Sequence, residues 1–151
     1  MRPLVAETIS NVEYHLPREK SEWQKVSLFA PSEEQETYFY VPKGESLDTS
    51  KEFFGVHVNH LSSVEMDETS LKAAIEKQFD IQITLAIIEK TSNSILYEWG
   101  MDKEGRFLFS LNKVFFSDAG TTLLFYQTTS AKRVDAEKGL WLEALRNAKE
   151  L

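Results

Sequence analysis

The sequence predicts an α+β fold: an antiparallel β-sheet of about six or seven strands, with a short middle helix and a long C-terminal helix packed on it. Two observations predict it. Between residues 80 and 129, four segments alternate apolar and polar side chains with a period of two, which is typical of antiparallel strands. The segment that follows them carries apolar residues at helical spacing, and this stripe must be buried against the sheet.

Length and composition predict one folded domain over residues 1–151. A chain of 151 residues has the common size of a single domain, and 42% hydrophobic residues with 10 Phe predict a packed core. Residues 1–21 have only scattered apolar positions, with Pro3 and Pro17 among them. We therefore expect residues 1–21 to form a partly mobile N-terminal arm.

Three strands are predicted between residues 22 and 60. Residues 22–29 alternate and end before Pro31, which suits a strand near a sheet edge. Residues 37–41 are aromatic and β-branched and end at a Pro-Lys-Gly turn. Residues 51–60 again alternate with a period of two.

A short helix and a four-strand meander follow. Asp67 or Thr69 can cap a helix over residues 70–79. The four strands are predicted at 80–91, 94–100, 106–116 and 121–129, separated by polar or Gly-containing turns. Within the third of these strands the alternation changes phase at Asn112 and Lys113, which predicts a β-bulge or a bend there.

The C-terminal helix is predicted to begin at Ser130 or Asp135. Its apolar stripe is interpreted as core packing, with a partner-binding face as the alternative. Gly139, inside the helix, predicts a close approach to the sheet. The stripe consists of Ala136, Leu140, Trp141, Ala144, Leu145, Ala148 and Leu151.

Most familiar catalytic motifs are missing from the sequence. The chain has no Cys, which excludes disulfides and thiolate chemistry, and it has no Gly-x-Ser-x-Gly motif or phosphate-binding Gly-rich loop. The net charge of -7 argues against nucleic-acid binding, which depends on clustered Lys and Arg. We therefore lean towards a non-enzymatic protein, without excluding a catalytic site assembled from distant residues.

The candidate metal ligands are His57 and His60, which form a His-x-x-His pair. They would need a turn between them and a carboxylate from elsewhere, such as Glu65 or Asp67. The alternative is that both are exposed or capping histidines. No other cofactor is indicated, and His15 is expected to be exposed in the N-terminal arm.

Glu98 is a carboxylate between two large aromatic residues, Tyr97 and Trp99. Burial would raise its pKa towards the range of a general acid. Alternation instead places Glu98 on the opposite face from its neighbours, which favours exposure or an ion pair. A pocket between the sheet and the C-terminal helix, formed by Tyr97, Trp99, His57 and Glu98, is the basis of an alternative function as a small-ligand-binding or hydrolytic domain.

The second face of the predicted sheet is also apolar, with Leu96, Leu108 and Leu124 as its main residues. The middle helix and the N-terminal strands could cover this face, or it could form a ligand or partner surface. The acidic residues at 33–36, with Glu45 and Asp48, are interpreted as a solvated surface or as a docking surface for a basic partner.

Three short segments carry a resemblance to a known fold: FYVPKGE at 39–45, ILYEW at 95–99 and LWLEALRNAK at 140–149. Together with the order of elements over roughly residues 36–151, the chain resembles the PsbP-like fold, named for an extrinsic subunit of the photosystem that splits water. A yeast Ran-binding nuclear-import protein shares this fold, and small bacterial proteins of the same architecture are more similar. The resemblance implies a non-enzymatic accessory module that docks on a larger protein assembly.

Location and assembly follow less directly from the sequence. No segment approaches the roughly 20 apolar residues that span a bilayer, so no membrane span is expected. A periplasmic or secreted location is expected if a leader peptide was removed before Met1, and a cytoplasmic one otherwise. We expect a monomer with a protein partner that the sequence does not identify.

Overall fold

The computed structural model describes residues 7–9, 12–16, 23–32, 35–46, 50–59, 67–117 and 120–150. These residues form ten strands and two helices, which confirms the predicted α+β class. The elements are β1 (Glu7–Ile9), β2 (Val12–Tyr14), β3 (Trp23–Ser32), β4 (Gln35–Pro42), β5 (Glu52–Asn59), α1 (Glu68–Phe79), β6 (Thr84–Lys90), β7 (Ser94–Lys103), β8 (Arg106–Ser117), β9 (Gly120–Thr128), α2 (Ala131–Asn147) and β10 (Lys149–Glu150).

Seven strands form one antiparallel sheet in the order β3-β4-β5-β9-β8-β7-β6. The predicted four-strand meander is present as β6 to β9, and β9 then pairs with β5 to join it to the N-terminal strands. A second, three-stranded sheet has the order β1-β2-β10. Residues 149–150 are thereby paired with residues 12–13.

The two faces of the large sheet support two separate apolar clusters. The cluster beneath α2 includes Phe54, Leu124 and Trp141. The cluster beneath α1 includes Ile75 and Tyr97. Because both faces are covered by helices, the central strands can be apolar on both sides.

This two-sided burial explains why the predicted bulge in β8 is wrong. β8 pairs with both β7 and β9 through Asn112 and Lys113 without a register shift. The apparent phase change arises because Leu111 and Phe115 pack under α2, whereas Val114 belongs to the α1 side. Register shifts occur instead in the β3–β4 and β6–β7 pairs.

The core beneath α2 is built around Trp141, which is fully buried. Its ring stacks on Tyr126 and Phe54, with centroid distances of 4.3 and 5.4 Å. The Trp23 ring meets it edge to face at 5.4 Å. Stacked and edge-to-face aromatic pairs contribute beyond the area they bury, so Trp141 is the main contact that fixes α2 on the sheet.

The buried stripe of α2 differs from the predicted one by about one position. Leu140 is 50% exposed and Ala136 is exposed, whereas Glu137, Trp141 and Leu145 are buried. Glu137 can occupy the buried stripe because Arg133, one turn earlier, approaches its carboxylate at 3.3 Å. The buried stripe thus includes a charged residue that is not part of the predicted apolar stripe.

Two further features of α2 correct or complete the sequence interpretation. The expected close approach of Gly139 to the sheet is wrong, since no described atom outside its chain neighbours and its own helix backbone lies within 4 Å of a Cβ placed there. The N-cap residue is Ser130, and the helix ends before Ala148, whose amide donates to the carbonyls of Ala144 and Leu145. The last stripe residue, Leu151, lies outside the described residues.

Lys113 holds the C-terminal end of α2 against the sheet. Its ammonium donates to the carbonyl oxygens of Arg146 and Ala148, at 3.2 and 2.8 Å. A cation at this end of a helix also interacts favourably with the helix dipole. Burial lowers the pKa of Lys113, although the charge of Glu89 acts in the opposite direction.

The N-terminal segment contributes to the core where it is described. Val12, Tyr14 and Leu16 are buried in the cluster beneath α2, and the Tyr14 and Tyr40 hydroxyls lie 3.0 Å apart. His15 is partly exposed. The mobile arm expected over residues 1–21 stays a prediction, because residues 1–6, 10–11 and 17–21 lie outside the described part of the chain.

Of the two helices in the described ranges, neither is long and apolar enough to cross a membrane.

Candidate functional site

A cavity of about 600 Å³ lies on the α1 side of the large sheet. One wall is the inner face of α1, and the other wall and the floor come from β4, β5, β9, β8 and β7. This volume is within the range of about 300 to 1,000 Å³ that is usual for small-molecule sites. The cavity is therefore large enough to hold a ligand.

Strand register places two polar residues of β8 at the floor of this cavity. Asn112 pairs with Phe125 on one side and with Tyr97 on the other. Ser110, two residues earlier, pairs with Gln127 and Trp99. Residues two apart on a strand share a face, so both side chains lie on the cavity face of the sheet.

The walls of the cavity are mostly aromatic. Phe39, Phe53 and Phe125 pack edge to face in one cluster, with centroid distances between 5.5 and 6.3 Å. On the α1 side, Phe79 packs against Trp99 at 5.2 Å. These rings present apolar faces and edges to whatever occupies the cavity.

Gly55 allows the Phe125 ring to lie over the sheet. The two residues are direct cross-strand partners, and a Cβ placed on Gly55 would overlap the ring of Phe125. A glycine in a strand commonly marks such a close approach. The position of the Phe125 ring in the cavity wall therefore depends on the missing side chain at residue 55.

Asn112 has a hydrogen-bonding group without a partner. Its side chain is part of a residue only 3% exposed, and Ser110, 1% exposed, donates from Oγ to Asn112 Oδ1 at 3.2 Å. Within the described residues, Asn112 Nδ2 has no hydrogen-bond partner. A buried donor left unpaired costs about 1 to 3 kcal/mol, so this amide is a candidate for contact with a ligand.

His57 and Thr37 form a second polar pair on the cavity lining. Thr37 Oγ1 lies 2.7 Å from His57 Nδ1. Burial lowers the pKa of His57 below its ordinary value of 6.5, so the imidazole is neutral at pH 7. None of the described residues that line the cavity is a Lys, Arg, Asp or Glu, so its hydrogen-bonding groups are uncharged at neutral pH.

The lowered pKa of His57 predicts a pH-dependent stability. The unfolded chain binds a proton at His57 more readily than the folded chain, so the stabilisation is present above the unfolded pKa and is lost as the pH falls towards the folded pKa. Between about pH 7.5 and pH 5.5, the free energy of unfolding should fall less in His57→Gln than in the wild type. Urea denaturation at both pH values measures this difference, and an equal fall in the two proteins would contradict it.

The structure separates the residues of the predicted pocket. His57, Tyr97 and Trp99 line the cavity, as a binding site would require. Glu98 points to the opposite face, where its carboxylate lies 2.8 Å from Lys138 Nζ on α2. A pocket between the sheet and the C-terminal helix is thus a wrong prediction: the cavity lies on the α1 side, because the Tyr97–Trp99 face of β7 faces α1.

Of the three leucines expected to form a possible exposed surface, two are buried by the chain itself and the third is partly buried. Leu96 and Leu124 are 2% and 0% exposed, and both belong to the core beneath α2. Leu108 is partly buried in the cluster beneath α1. The correction has a simple cause, since the two helices cover opposite faces of the sheet and each face takes part of the predicted patch.

The metal-site hypothesis stays a prediction. His60 and Glu65 lie outside the described residues. Asp67 is exposed and accepts a hydrogen bond from the Ser70 amide at 2.7 Å, as the N-cap of α1. In the part of the chain that the structure describes, no group of three or more His, Asp and Glu residues could hold a metal ion.

Sequence interpretation missed Ser110, Asn112 and Thr37 as lining residues of the cavity, and Gly55 as the residue that makes room for the Phe125 ring. One available signal is the pair Ser110 and Asn112, two polar residues two positions apart, and therefore on one face, in the middle of a mostly apolar strand. The predicted bulge or bend at Asn112 and Lys113 explains the same pattern by a change of phase, whereas the structure shows a polar pair on the cavity face. The contact between Thr37 and His57 crosses from β4 to β5 and depends on register.

No protein-family model matches the chain, and no curated protein matches it. Among solved structures, it is similar to the solution structure of cyanobacterial PsbP (CyanoP) from Synechocystis sp. PCC 6803. The two are 14% identical, with a TM-score of 0.49 over 98% of this chain and 92% of that chain. The name of that protein is the one after which the fold resembled by the sequence is called. A likeness at this level assigns the chain to neither a family nor a function.

Proposed function

We propose that the chain is a non-enzymatic accessory module that docks on a larger protein assembly. The separation of the candidate acid–base residues carries the non-enzymatic part of this proposal. His57 lines the cavity, whereas Glu98 is paired with Lys138 on the opposite face of the sheet. A histidine base in a hydrolase is normally oriented by a third polar group and acts on a nearby nucleophile.

The hydrolytic alternative loses its main support for the same reason. His57 contacts Thr37 through Nδ1, and the described cavity lining offers no carboxylate to orient the ring. The other polar groups of the lining are amides and hydroxyls. Such groups position a bound molecule and are poor proton donors or acceptors at neutral pH.

The docking part of the proposal rests on the sequence resemblance, and α2 supplies a candidate contact. Leu140 lies in one of the resembling segments and is 50% exposed on the outer face of α2. Trp141 and Leu145 of the same segment are buried and serve the fold. Leu140 is therefore the residue of that segment best placed to touch a partner through an apolar side chain.

A competition experiment tests the docking proposal. The immobilised chain is incubated with an extract of its source cells, and the retained proteins are quantified with and without free competitor. Free wild-type chain should displace a defined set of proteins, whereas free Leu140→Glu should displace them poorly because a carboxylate disrupts an apolar contact.

Lys132→Glu, an exposed substitution at the start of α2, is the matched control and should compete like the wild type. Equal competition by Leu140→Glu and the wild type would contradict the role of Leu140. The absence of any displaced protein, together with His57-dependent turnover of an ester by the pure chain, would reject the proposed function as a whole.

A further inference from the structure

We propose that the cavity on the α1 side binds a neutral, mostly apolar small molecule that carries a hydrogen-bond acceptor such as a carbonyl oxygen. This inference goes beyond the docking function and does not depend on it. It rests on three observations: the aromatic walls, the Nδ2 group of Asn112 that has no partner among the described residues, and the uncharged lining. Each of them restricts a different property of the ligand.

The aromatic walls favour a ligand that is mostly apolar, and a flat aromatic ring system fits them best. The cluster of Phe39, Phe53 and Phe125 forms one side of the cavity, and the Trp99–Phe79 pair forms the other. Rings on two sides of a cavity contact an aromatic ligand by stacking or by edge-to-face packing. The remaining wall residues on α1 are Leu71, Ala74, Ile75 and Gln78.

The acceptor is selected by Asn112. Ser110 donates from Oγ to the amide oxygen, Nδ2 has no partner among the described residues, and Asn112 is one of the residues that line the cavity. At 3% exposure, Asn112 is more than nine-tenths buried. Nδ2 is itself buried, so a ligand oxygen that accepts its hydrogen bond reaches it after a small shift of a neighbouring cavity side chain.

The absence of charge in the described lining disfavours an ionic ligand. A carboxylate or an ammonium group would lose its hydration on entry and would find no opposite charge among those residues. The polar groups it would meet are amides, hydroxyls and the imidazole of His57. They can orient a neutral polar group without that cost.

The site is held by regular elements at both walls. Asp67 caps the start of α1, and Glu76 near its end accepts a hydrogen bond from the amide of Ile83 at 3.0 Å. The opposite wall is fixed by the Gly55–Phe125 contact within the sheet. A site on a capped helix and a central sheet is largely formed before the ligand arrives, which reduces the ordering cost of binding.

Three naphthalene probes of similar shape test the proposal by isothermal titration calorimetry. Methyl naphthyl ketone is neutral and has an acceptor, ethylnaphthalene lacks the acceptor, and naphthoate is charged. Wild-type protein should bind the ketone about three- to tenfold more tightly than ethylnaphthalene, the range that one additional hydrogen bond provides. Naphthoate should bind most weakly.

Asn112→Leu, which keeps a similar side-chain size without the amide, should bind ketone and ethylnaphthalene equally. Asn147→Leu is the matched control: Asn147 is exposed at the end of α2 and should leave the wild-type preference unchanged. If Asn112→Leu does not fold, the ratio of the wild-type affinities for ketone and ethylnaphthalene alone tests the proposal.

Equal affinity of the wild type for ketone and ethylnaphthalene, tighter binding of naphthoate, or no binding of any probe would each overturn the proposal. Retention of the preference by folded Asn112→Leu would also overturn it. These outcomes leave the docking proposal unaffected, because that proposal fails on the loss of protein competition.

Discussion

Replacing Trp141 with Ala is expected to lower the free energy of unfolding by about 3 to 5 kcal/mol. Trp141 is fully buried and stacks on Tyr126 and Phe54. Its removal leaves a cavity between α2 and the sheet and also deletes the contact with Trp23. Urea denaturation followed by far-ultraviolet circular dichroism measures the change.

The neighbouring residue provides the control for this prediction. Leu140→Ala removes an apolar side chain of helix α2 that is 50% exposed, and it should change stability by only about 0.5 kcal/mol or less. The pair therefore tests the corrected position of the buried stripe. Similar losses in the two variants, or a larger loss in Leu140→Ala, would contradict the structure of this face.

Filling the cavity from α1 should abolish most of its binding. Ala74 lines the cavity, so Ala74→Phe is expected to weaken binding of methyl naphthyl ketone by roughly tenfold or more, since the added ring occupies the space of the ligand. Calorimetric titration measures the loss. The substitution should cost the helix only about 0.5 kcal/mol, because Ala74 is exposed to solvent at this point of α1.

Ala73→Phe is the matched control, one residue away on the same helix. Ala73 is exposed and does not line the cavity, so its replacement should leave the affinity for the ketone unchanged. Equal binding by Ala74→Phe and Ala73→Phe would show that the probe binds elsewhere. A large loss of stability in Ala74→Phe alone would show that the helix sits closer to the sheet than described.

The strands of the meander could be predicted from the sequence because their signals are local. Alternation with a period of two marks each strand, and Gly105 at a positive φ of 76° marks the turn between β7 and β8. The prediction of the middle helix had a similar basis, an N-cap at Asp67 followed by apolar residues at helical spacing. The presence and the order of these strands and of the middle helix could therefore be predicted from local patterns.

The arrangement of the faces could not be predicted in the same way. Alternation shows that Tyr97 and Trp99 share one face of β7, but it does not show which helix covers that face. The alternative hypothesis of a pocket beneath the long C-terminal helix requires them to face that helix, whereas they pack beneath α1. The covering helix decides on which side of the sheet the cavity lies, whereas alternation along β7 separates Glu98 from Tyr97 and Trp99.

The site residues of the cavity depend on contacts that are distant in sequence. Asn112 meets the cavity because β8 lies between β7 and β9, and the Thr37–His57 pair depends on the register of β4 and β5. Likewise Glu137 is buried on α2 although it is a charged residue, and Arg133 approaches its carboxylate. In these cases tertiary contacts decided what a local pattern left open.

The central claim is that this chain is a binding module with its small-molecule site on the α1 side of the sheet. Nuclear magnetic resonance of the three Trp indole N–H signals tests this claim most directly. Trp99 lines the cavity, whereas Trp23 and Trp141 pack in the core on the opposite face. Titration with methyl naphthyl ketone should shift the Trp99 signal in a saturable way and leave the other two in place. Shifts of Trp23 or Trp141 with an unchanged Trp99 signal, or no shift at all, would contradict the account.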